Sequence, residues 1–212
     1  MLFRSDTVDV AALTTAQIAA LSSSAAAALT DTSTGQVAAL TSAQAAALSS
    51  AAVSGLSTAQ IARLSSAQLN ALSATQLNAM SSAQLRAIET ADVAALTTAQ
   101  VVKFDTSAIS ELSTAQIVAM GSAQFAALTA AQLKALSTAQ LVVIDTVDVA
   151  ALTTAQIAAL SSSAVAALTD TSTGQVAALT SAQAAALSSA AVSGLTTAQI
   201  ERLSSEIGRA HV

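Results

Sequence analysis

The sequence contains no cysteine, proline, tryptophan or tyrosine, and only 9% of its residues are charged. Without cysteine there is no disulfide framework and no thiolate metal site. The single histidine, His211, is next to the C-terminal residue, so the body of the chain offers no imidazole as a general base or metal ligand. The formal net charge is −5, and the basic cluster typical of nucleic-acid binding is missing.

Long apolar runs are also missing, although the mean hydropathy is positive at +0.65. Two hydroxyl residues recur in almost every eight residues, and they keep each apolar run well below the ~20 residues of a transmembrane helix. We therefore expect no membrane-spanning segment. The abundant residues are alanine, leucine, serine, threonine and glutamine, and they follow one short pattern.

That pattern is an eight-residue unit, here called the octad, which fills nearly the whole chain. Its positions one to eight are Leu, Ser/Thr, Ser/Thr, Ala, Gln, Ile/Val/Leu, Ala and Ala, as in residues 13–20. A fixed short period indicates a repeat array in place of one or two ordinary globular domains. Position one is large and apolar throughout, as a core site requires.

A hydroxyl at position two and a glutamine at position five form a capping box, as in Thr14 with Gln17 or Ser65 with Gln68. The spacing therefore predicts that one helix starts in every octad. Where position two differs, most substitutes are still accepted N-caps, and only Glu89 is a weaker one. The substitutes are Asp6, Asp105, Asp145 and Gly121.

One continuous helix cannot explain the octads, because eight residues advance an α-helix by ~800° and the leucine stripe would drift by ~80° per repeat. We predict an all-α solenoid of short, two-turn helices, one per octad. The alternative is a β-solenoid, which alanine and glutamine disfavour and for which the usual turn residues are scarce.

Charged residues avoid positions one, four and six. This distribution predicts a core face at positions one and six and a tight contact between neighbours at position four, which is usually alanine. Burying two large apolar side chains gives roughly 3–6 kcal/mol, whereas ordering eight residues costs on the order of 8–16 kcal/mol. Octads must therefore stack on one another, and uncapped ends should fray or associate end to end.

Two larger features modify the octads. Leu29 and Leu40 are eleven residues apart, with Thr30-Asp31-Thr32 inserted before a unit at 33–39, and the same insertion follows Leu168. Residues 6–66 recur as 145–205, offset by 139 residues, with three differences. We infer a single array over 6–205, built from a 139-residue unit that is partly duplicated. The differences are Ala26 against Val165, Ser57 against Thr196, and Ala62 against Glu201.

The two ends do not follow the pattern. Residues 1–5 and 206–212 resemble translated sequencing-adapter DNA. We expect both to be scars outside the fold, and the chain to be a fragment of a larger gene, from metagenomic sequencing. On this hypothesis neighbouring domains of the parent protein are missing.

Three pairs of carboxylates stand at positions two and five of one octad. Such a pair could hold a cation such as calcium through oxygen ligands. We favour a structural interpretation, because both positions lie at the start of a helix, where negative charge suits the helix dipole. The pairs are Asp6 with Asp9, Glu89 with Asp92, and Asp145 with Asp148.

The remaining polar residues give no stronger site. Asp31 and Asp170, in the inserted triplets, belong either to a loop between helices, which we favour, or to a regular binding feature. Lys103 and Lys134 are expected at exposed, solubilising positions. The serine hydroxyls lack a histidine base and a Gly-x-Ser-x-Gly elbow. We therefore predict no catalytic, cofactor-binding or metal-ligating residue, no cofactor and no enzymatic activity.

The run Leu-Ser/Thr-Thr-Ala-Gln-Ile/Leu-x-Ala, as in residues 56–63 and 136–143, resembles the repeat tracts of very large bacterial surface or secreted proteins of the adhesin type. The resemblance implies an extracellular or cell-surface location and a non-catalytic spacer that connects other domains. The alternative is a binding module whose rows of threonine, serine and alanine face a repetitive target such as ice or a glycan, or a second copy.

Overall fold

A computed structural model describes residues 7–209, and for residues 205–209 it describes the backbone alone. Within this range the chain forms short α-helices, turns and bends, and none of the described residues lies in a strand. The all-α solenoid is confirmed, and the β-solenoid alternative is wrong. The chain divides into two compact units, Met1–Leu112 and Ser113–Val212.

Nearly every octad contributes one helix, as the capping pattern predicts, but the eleven-residue unit at 168–178 forms bends and turns where its first copy forms a helix. In unit 1 the helices are α1 Thr7–Ala12, α2 Thr15–Ala19, α3 Ser23–Ala27, α4 Gln36–Ala39, α5 Ser42–Ala47, α6 Ser50–Gly55, α7 Thr58–Ile61, α8 Ser66–Ala71, α9 Ala74–Leu77, α10 Ser82–Ala87, α11 Thr90–Ala94, α12 Thr98–Val101 and α13 Thr106–Ser110. In unit 2 they are α14 Thr114–Ala119, α15 Ser122–Ala127, α16 Ala130–Ala135, α17 Thr138–Leu141, α18 Thr146–Ala151, α19 Thr154–Ala158, α20 Ser162–Ala166, α21 Ser181–Ala185, α22 Ser189–Val192 and α23 Thr197–Arg209.

The helices are shorter than the predicted two turns. All but the last contain four to six residues, which is about one to one and a half turns. The cause is that positions one and two are both extended, with ψ of 138° at Leu48 and 155° at Ser49, for example. Two extended residues in every eight leave at most six for the helix.

The core lies where the octad pattern predicts it, at positions one and six. Leu69 and Leu72, at these positions of neighbouring octads, are fully buried, and so are Ile109 and Phe125. These two positions are three residues apart and therefore share one face of the helix. A thin apolar core runs through the stacked octads of each unit.

The tight contact predicted at position four is wrong. Position-four alanines such as Ala59, Ala67 and Ala83 are exposed, so they are not tight contacts between neighbours. Position five is buried instead, as at Gln60 and Gln84. The physical reason is that position five precedes the next position one by four residues and so shares its face, whereas position four does not.

Successive octads stack so that most helices pack against the helix three places earlier, and in the C-terminal part of unit 2 against the helix two places earlier. In unit 1, α5 packs on α8 and α6 on α9; in unit 2, α15 packs on α18 and α16 on α19. Hydrogen bonds between layers join residues 28 and 31 positions apart, as from Gln76 to Leu48 and Ala45. We call the intervening stretch of about three and a half octads a coil.

The eleven-residue units form the same two hydrogen bonds as a capping box, but between residues six apart in place of three. The Thr30 N–H donates to Gln36 Oε1 at 3.0 Å, and the Gln36 N–H donates to Thr30 Oγ1 at 2.8 Å. Thr30 therefore supplies the capping side chain, although the residue at the N-cap of α4 is Gly35, which makes no side-chain cap bond. The predicted insertion of Thr30-Asp31-Thr32 before a separate unit at 33–39 is wrong, because Thr30 and Gln36 pair across it. The second copy repeats both bonds between Thr169 and Gln175.

Candidate functional site

The most regular polar feature is a series of buried glutamine side chains at position five, here called the glutamine ladder. In Gln76, Oε1 accepts a hydrogen bond from the N–H of its own cap, Ser73, at 2.6 Å. Its Nε2 donates to the carbonyl oxygens of Leu48 at 2.6 Å and Ala45 at 3.1 Å, one coil earlier. The amide thus starts its own helix and also joins it to the preceding coil.

The same bonds recur along both units. The ladder glutamines with these inter-coil bonds are Gln44, Gln60, Gln68, Gln76, Gln84 and Gln100 in unit 1, and Gln156, Gln175, Gln183 and Gln199 in unit 2. Each donates to a position-one carbonyl and a position-six carbonyl. A buried amide whose oxygen and nitrogen are both bonded carries little desolvation cost.

The sequence contained a signal for the ladder that the capping analysis missed. A capping box accepts glutamate as readily as glutamine, yet no octad has glutamate at position five. Glutamate cannot donate a hydrogen bond, so its absence indicates that the amide nitrogen has a partner.

Aspartate at position five bonds different groups of the preceding coil from those that glutamine bonds. Asp148 is buried, and its Oδ1 accepts from Ser122 Oγ at 2.5 Å, at the first residue of α15. Burial and the nearby charge of Glu89 raise the pKa of Asp92, while a bond from the Ser66 backbone, at the start of α8, lowers it. A carboxylate cannot bond carbonyls, so it faces the N-terminus of a helix in the preceding coil.

The two members of a predicted carboxylate pair make different contacts. Asp145 accepts from the Val147 N–H at 3.1 Å in its own helix, while Asp148 bonds another octad. Glu89 makes no side-chain cap bond. Asp6 lies outside the described residues. Within the described part of the chain, no cluster of three or more His, Cys, Asp or Glu side chains could hold a metal ion.

The other charged residues either form hydrogen bonds to neighbouring residues or are exposed to solvent. Asp105 caps α13 by accepting from the Ala108 N–H at 2.7 Å, and this bond lowers the pKa of its carboxyl. Lys103 was expected to be exposed but is half-buried, and its Nζ donates to Gln100 Oε1 at 2.8 Å. Lys134 is exposed as predicted.

Asp31 and Asp170 are exposed at the loops of the eleven-residue units, as the favoured interpretation predicts. The Asp31 carbonyl oxygen accepts from Arg63 Nε at 3.0 Å, so its backbone, too, contacts the next coil. The exposed ion pair of Arg86 with Glu111, at 2.8 Å, joins two coils in the same way.

Octads with alanine at position five lack the glutamine side chain, and two of them differ in how its space is filled. Beside Ala52 the helices α3 and α6 approach each other closely. A Cβ on Gly55 would lie only 2.6 Å from the Ser23 carbonyl oxygen. Beside Ala108 the neighbouring helices do not, and a cavity of about 230 Å³ remains that is open to solvent, since the exposed Ser81, Ser82 and Ser107 also line it. Its lining includes Met80, Leu85 and Ala108. Met80 stands 28 residues before Ala108, at the position whose carbonyl a ladder glutamine would bond.

The outer surface is as regular as the core. Positions two to four of most octads are exposed and carry serine, threonine and alanine, for example Thr97, Thr98 and Ala99. Among the described helices, none combines the length and apolar character needed to cross a membrane.

A family model described as the ALTTAQ repeat matches five overlapping stretches of the chain, residues 53–87, 74–106, 85–122, 117–146 and 141–172. Together these stretches cover residues 53–172, more than half of the chain. No curated protein matches the chain, and no solved structure matches it either.

Proposed function

The chain belongs to the ALTTAQ repeat family, and on that premise we propose that it is a non-catalytic structural segment that spaces or presents other domains of a larger bacterial surface or secreted protein. Its partners in this role are those neighbouring domains. Further arrays of the same kind, associated end to end, are a second class of partner.

The observation that carries this proposal is the glutamine ladder. In Gln84, for example, the side chain is buried and bonded both to its own cap and to the carbonyl of Leu56 one coil earlier. The polar group that recurs most regularly is thus used to hold octads together. A stack of this kind grows by adding octads, since each depends only on its neighbours. Length without a specific site is what a spacer requires.

The spacer role is tested by long-read sequencing of the parent locus across both ends of the coding segment. We expect the octads to continue and to be joined in frame to a secretion signal, an anchor or an adhesive domain. The same reads test whether residues 1–5 and 206–212 are adapter-derived. An open reading frame that contains octads alone would overturn the spacer proposal.

A second candidate, a module that binds a repetitive target such as ice or a glycan, is favoured by one observation, the exposure of position four. Ala59 and Ala83 lie on α7 and α10, which pack together, so exposed alanines follow one another from coil to coil. We expect ice-recrystallisation inhibition by the purified chain to be lost in Ala59→Lys/Ala83→Lys and kept in the control Ala46→Lys/Ala94→Lys. An inert parent chain in ice and glycan-array assays removes this candidate.

A further inference from the structure

The duplicated sequence provides an internal comparison of the two ends of the array. Residues 7–66 have octads after them but few before them, and residues 145–204 have octads before them but few after them. Any side chain exposed in one copy and buried in the other marks a surface that a further coil would cover. Two such surfaces exist, one at each end.

The first surface, here called the N-terminal edge, consists of Leu13, Gln17, Leu21 and Leu29. Gln17 is exposed, and among the described residues the structure gives its Nε2 no acceptor. Its equivalent, Gln156, is buried and donates to the carbonyls of Phe125 and Leu128, both at 2.7 Å.

The three leucines of the N-terminal edge behave in the same way. Each is partly exposed, whereas its equivalent in the second copy is buried. The buried equivalents are Leu152, Leu160 and Leu168. No coil in the described part of the chain covers the N-terminal edge, and a coil packed there would supply apolar surface and two carbonyl acceptors for Gln17.

The second surface, here called the C-terminal edge, consists of Leu187, Val192, Leu195 and Ile200. Ile200 is 47% exposed and Val192 is 45% exposed. Their equivalents, Ile61 and Val53, are at most 1% exposed. Leu187 and Leu195 are partly exposed as well, while their equivalents in the first copy are buried.

The C-terminal edge also carries the acceptors that the N-terminal edge lacks. In the first copy, the carbonyls of Leu48 and Leu56 accept hydrogen bonds from Gln76 and Gln84, at 2.6 and 2.7 Å. At their equivalents, Leu187 and Leu195, no bond from a ladder glutamine is present among the described residues, and the last such bonds run from Gln199 to Val165, Ala166 and Leu168. One edge thus offers an amide donor and leucines, and the other offers carbonyl acceptors and an apolar surface.

We propose that two copies of this chain dock head to tail, with the N-terminal edge of one on the C-terminal edge of the other. The interface repeats the contact that consecutive coils make inside each unit, with Gln17 acting as one more member of the glutamine ladder. Because the two surfaces differ, the contact is heterologous and leaves one edge of each kind free, so association continues beyond the dimer. This inference deepens the proposed end-to-end association and rests on no surface location.

The test uses two variants of the full 212-residue chain, each with one edge blocked. Gln17→Glu blocks the N-terminal edge, because a carboxylate still completes the capping box with Thr14 but meets the partner's carbonyls without a donor. Ile200→Lys blocks the C-terminal edge at a side chain that is already half exposed. Val147→Lys, at an exposed position four away from both edges, is the matched control.

Sedimentation equilibrium over a range of concentrations then gives the association state, with far-UV circular dichroism as the check on folding. We expect the parent chain and Val147→Lys to form concentration-dependent oligomers, and each blocked variant to associate at least about tenfold more weakly. A one-to-one mixture of the two blocked variants should form dimers and stop there, because only one intact pair of edges remains.

Three results would overturn the proposal: a monomeric parent chain at all concentrations, blocked variants that oligomerise like the parent chain, or a mixture that stays monomeric or grows beyond the dimer. If Ile200→Lys fails to fold, Val192→Lys at the same edge replaces it, with the same expectations. None of these results bears on the flanking domains at the parent locus, so the docking and the spacer role fail separately.

Discussion

Octads of identical sequence occur twice in this chain, and a comparison of the two copies separates what an octad does alone from what its neighbours do. The caps are local, since Thr14 donates to Gln17 at 2.8 Å and Thr153 donates to Gln156 at 2.6 Å, although the first pair is exposed. Burial is not local, because Val53 is 1% exposed and Val192, in an octad of identical sequence, is 45% exposed.

Helix length follows the neighbours as well. The octad that forms α6, Ser50–Gly55, forms only α22, Ser189–Val192, in the second copy. The first has a following coil whose glutamine, Gln84, bonds the Val53 carbonyl near the helix end. Capping sets where a helix begins, and in this pair the copy with a following coil has the longer helix.

The strongest way to break this comparison is to truncate the same core residue in both copies. Ile61→Ala should lower the free energy of unfolding by about 3–4 kcal/mol, since it leaves a cavity in a closed core, whereas Ile200→Ala should cost about 1–2 kcal/mol. Urea denaturation followed by circular dichroism measures both. Equal losses would mean that the C-terminal octads are covered in solution.

The ladder itself is tested by the same logic. Gln156→Ala should cost about 2–3 kcal/mol, because it leaves the Leu128 carbonyl without its donor, removes one of the two donors to the Phe125 carbonyl and removes half of a capping box. Gln17→Ala loses only its part of the box and should cost about 0.5–1 kcal/mol. Measurements at a concentration where the chain is monomeric are needed, and a Gln17→Ala loss as large as that of Gln156→Ala would contradict the difference.

Replacing the equivalent glycines Gly55 and Gly194 by alanine should lower stability equally in the two copies. A Cβ on Gly55 or on Gly194 would lie 2.6 or 2.4 Å from the carbonyl oxygen of Ser23 or Ser162. Both preceding helices are present, so alanine at either glycine should cost about 1–3 kcal/mol through overpacking. Gly121, whose Cβ would meet nothing within 4 Å, is the matched control. Thermal unfolding of the three variants decides.

The smallest expected effect comes from restoring a ladder glutamine. Ala108→Gln places an amide into the cavity of about 230 Å³ and should raise the free energy of unfolding by about 1 kcal/mol. Ala52→Gln should lower it, because Gly55 and Ser23 already fill the equivalent space. Denaturation curves of the two variants should shift in opposite directions, and a shift of both in the same direction would refute the explanation of the cavity.

The sequence predicts the helix starts and the apolar core because both follow from spacing within one octad. Thr14 and Gln17 are three residues apart, and so are Leu69 and Leu72, and these distances suffice. The inward side of position five also follows from helix geometry, because position five and the next position one are four residues apart. The half-burial of Lys103 and the coil of three and a half octads depend on how short helices pack, which no local pattern encodes.

The half-integral coil has a consequence for how such arrays change over generations. Each octad packs across the boundary between two octads of the preceding coil, as the hydrogen bonds from Gln100 to both Leu69 and Leu72 illustrate. Loss or gain of one whole octad shifts every later octad by one repeat. The groups that each shifted octad then contacts are chemically the same. We expect recombination among these genes to alter array length in steps of eight residues without disturbing the fold.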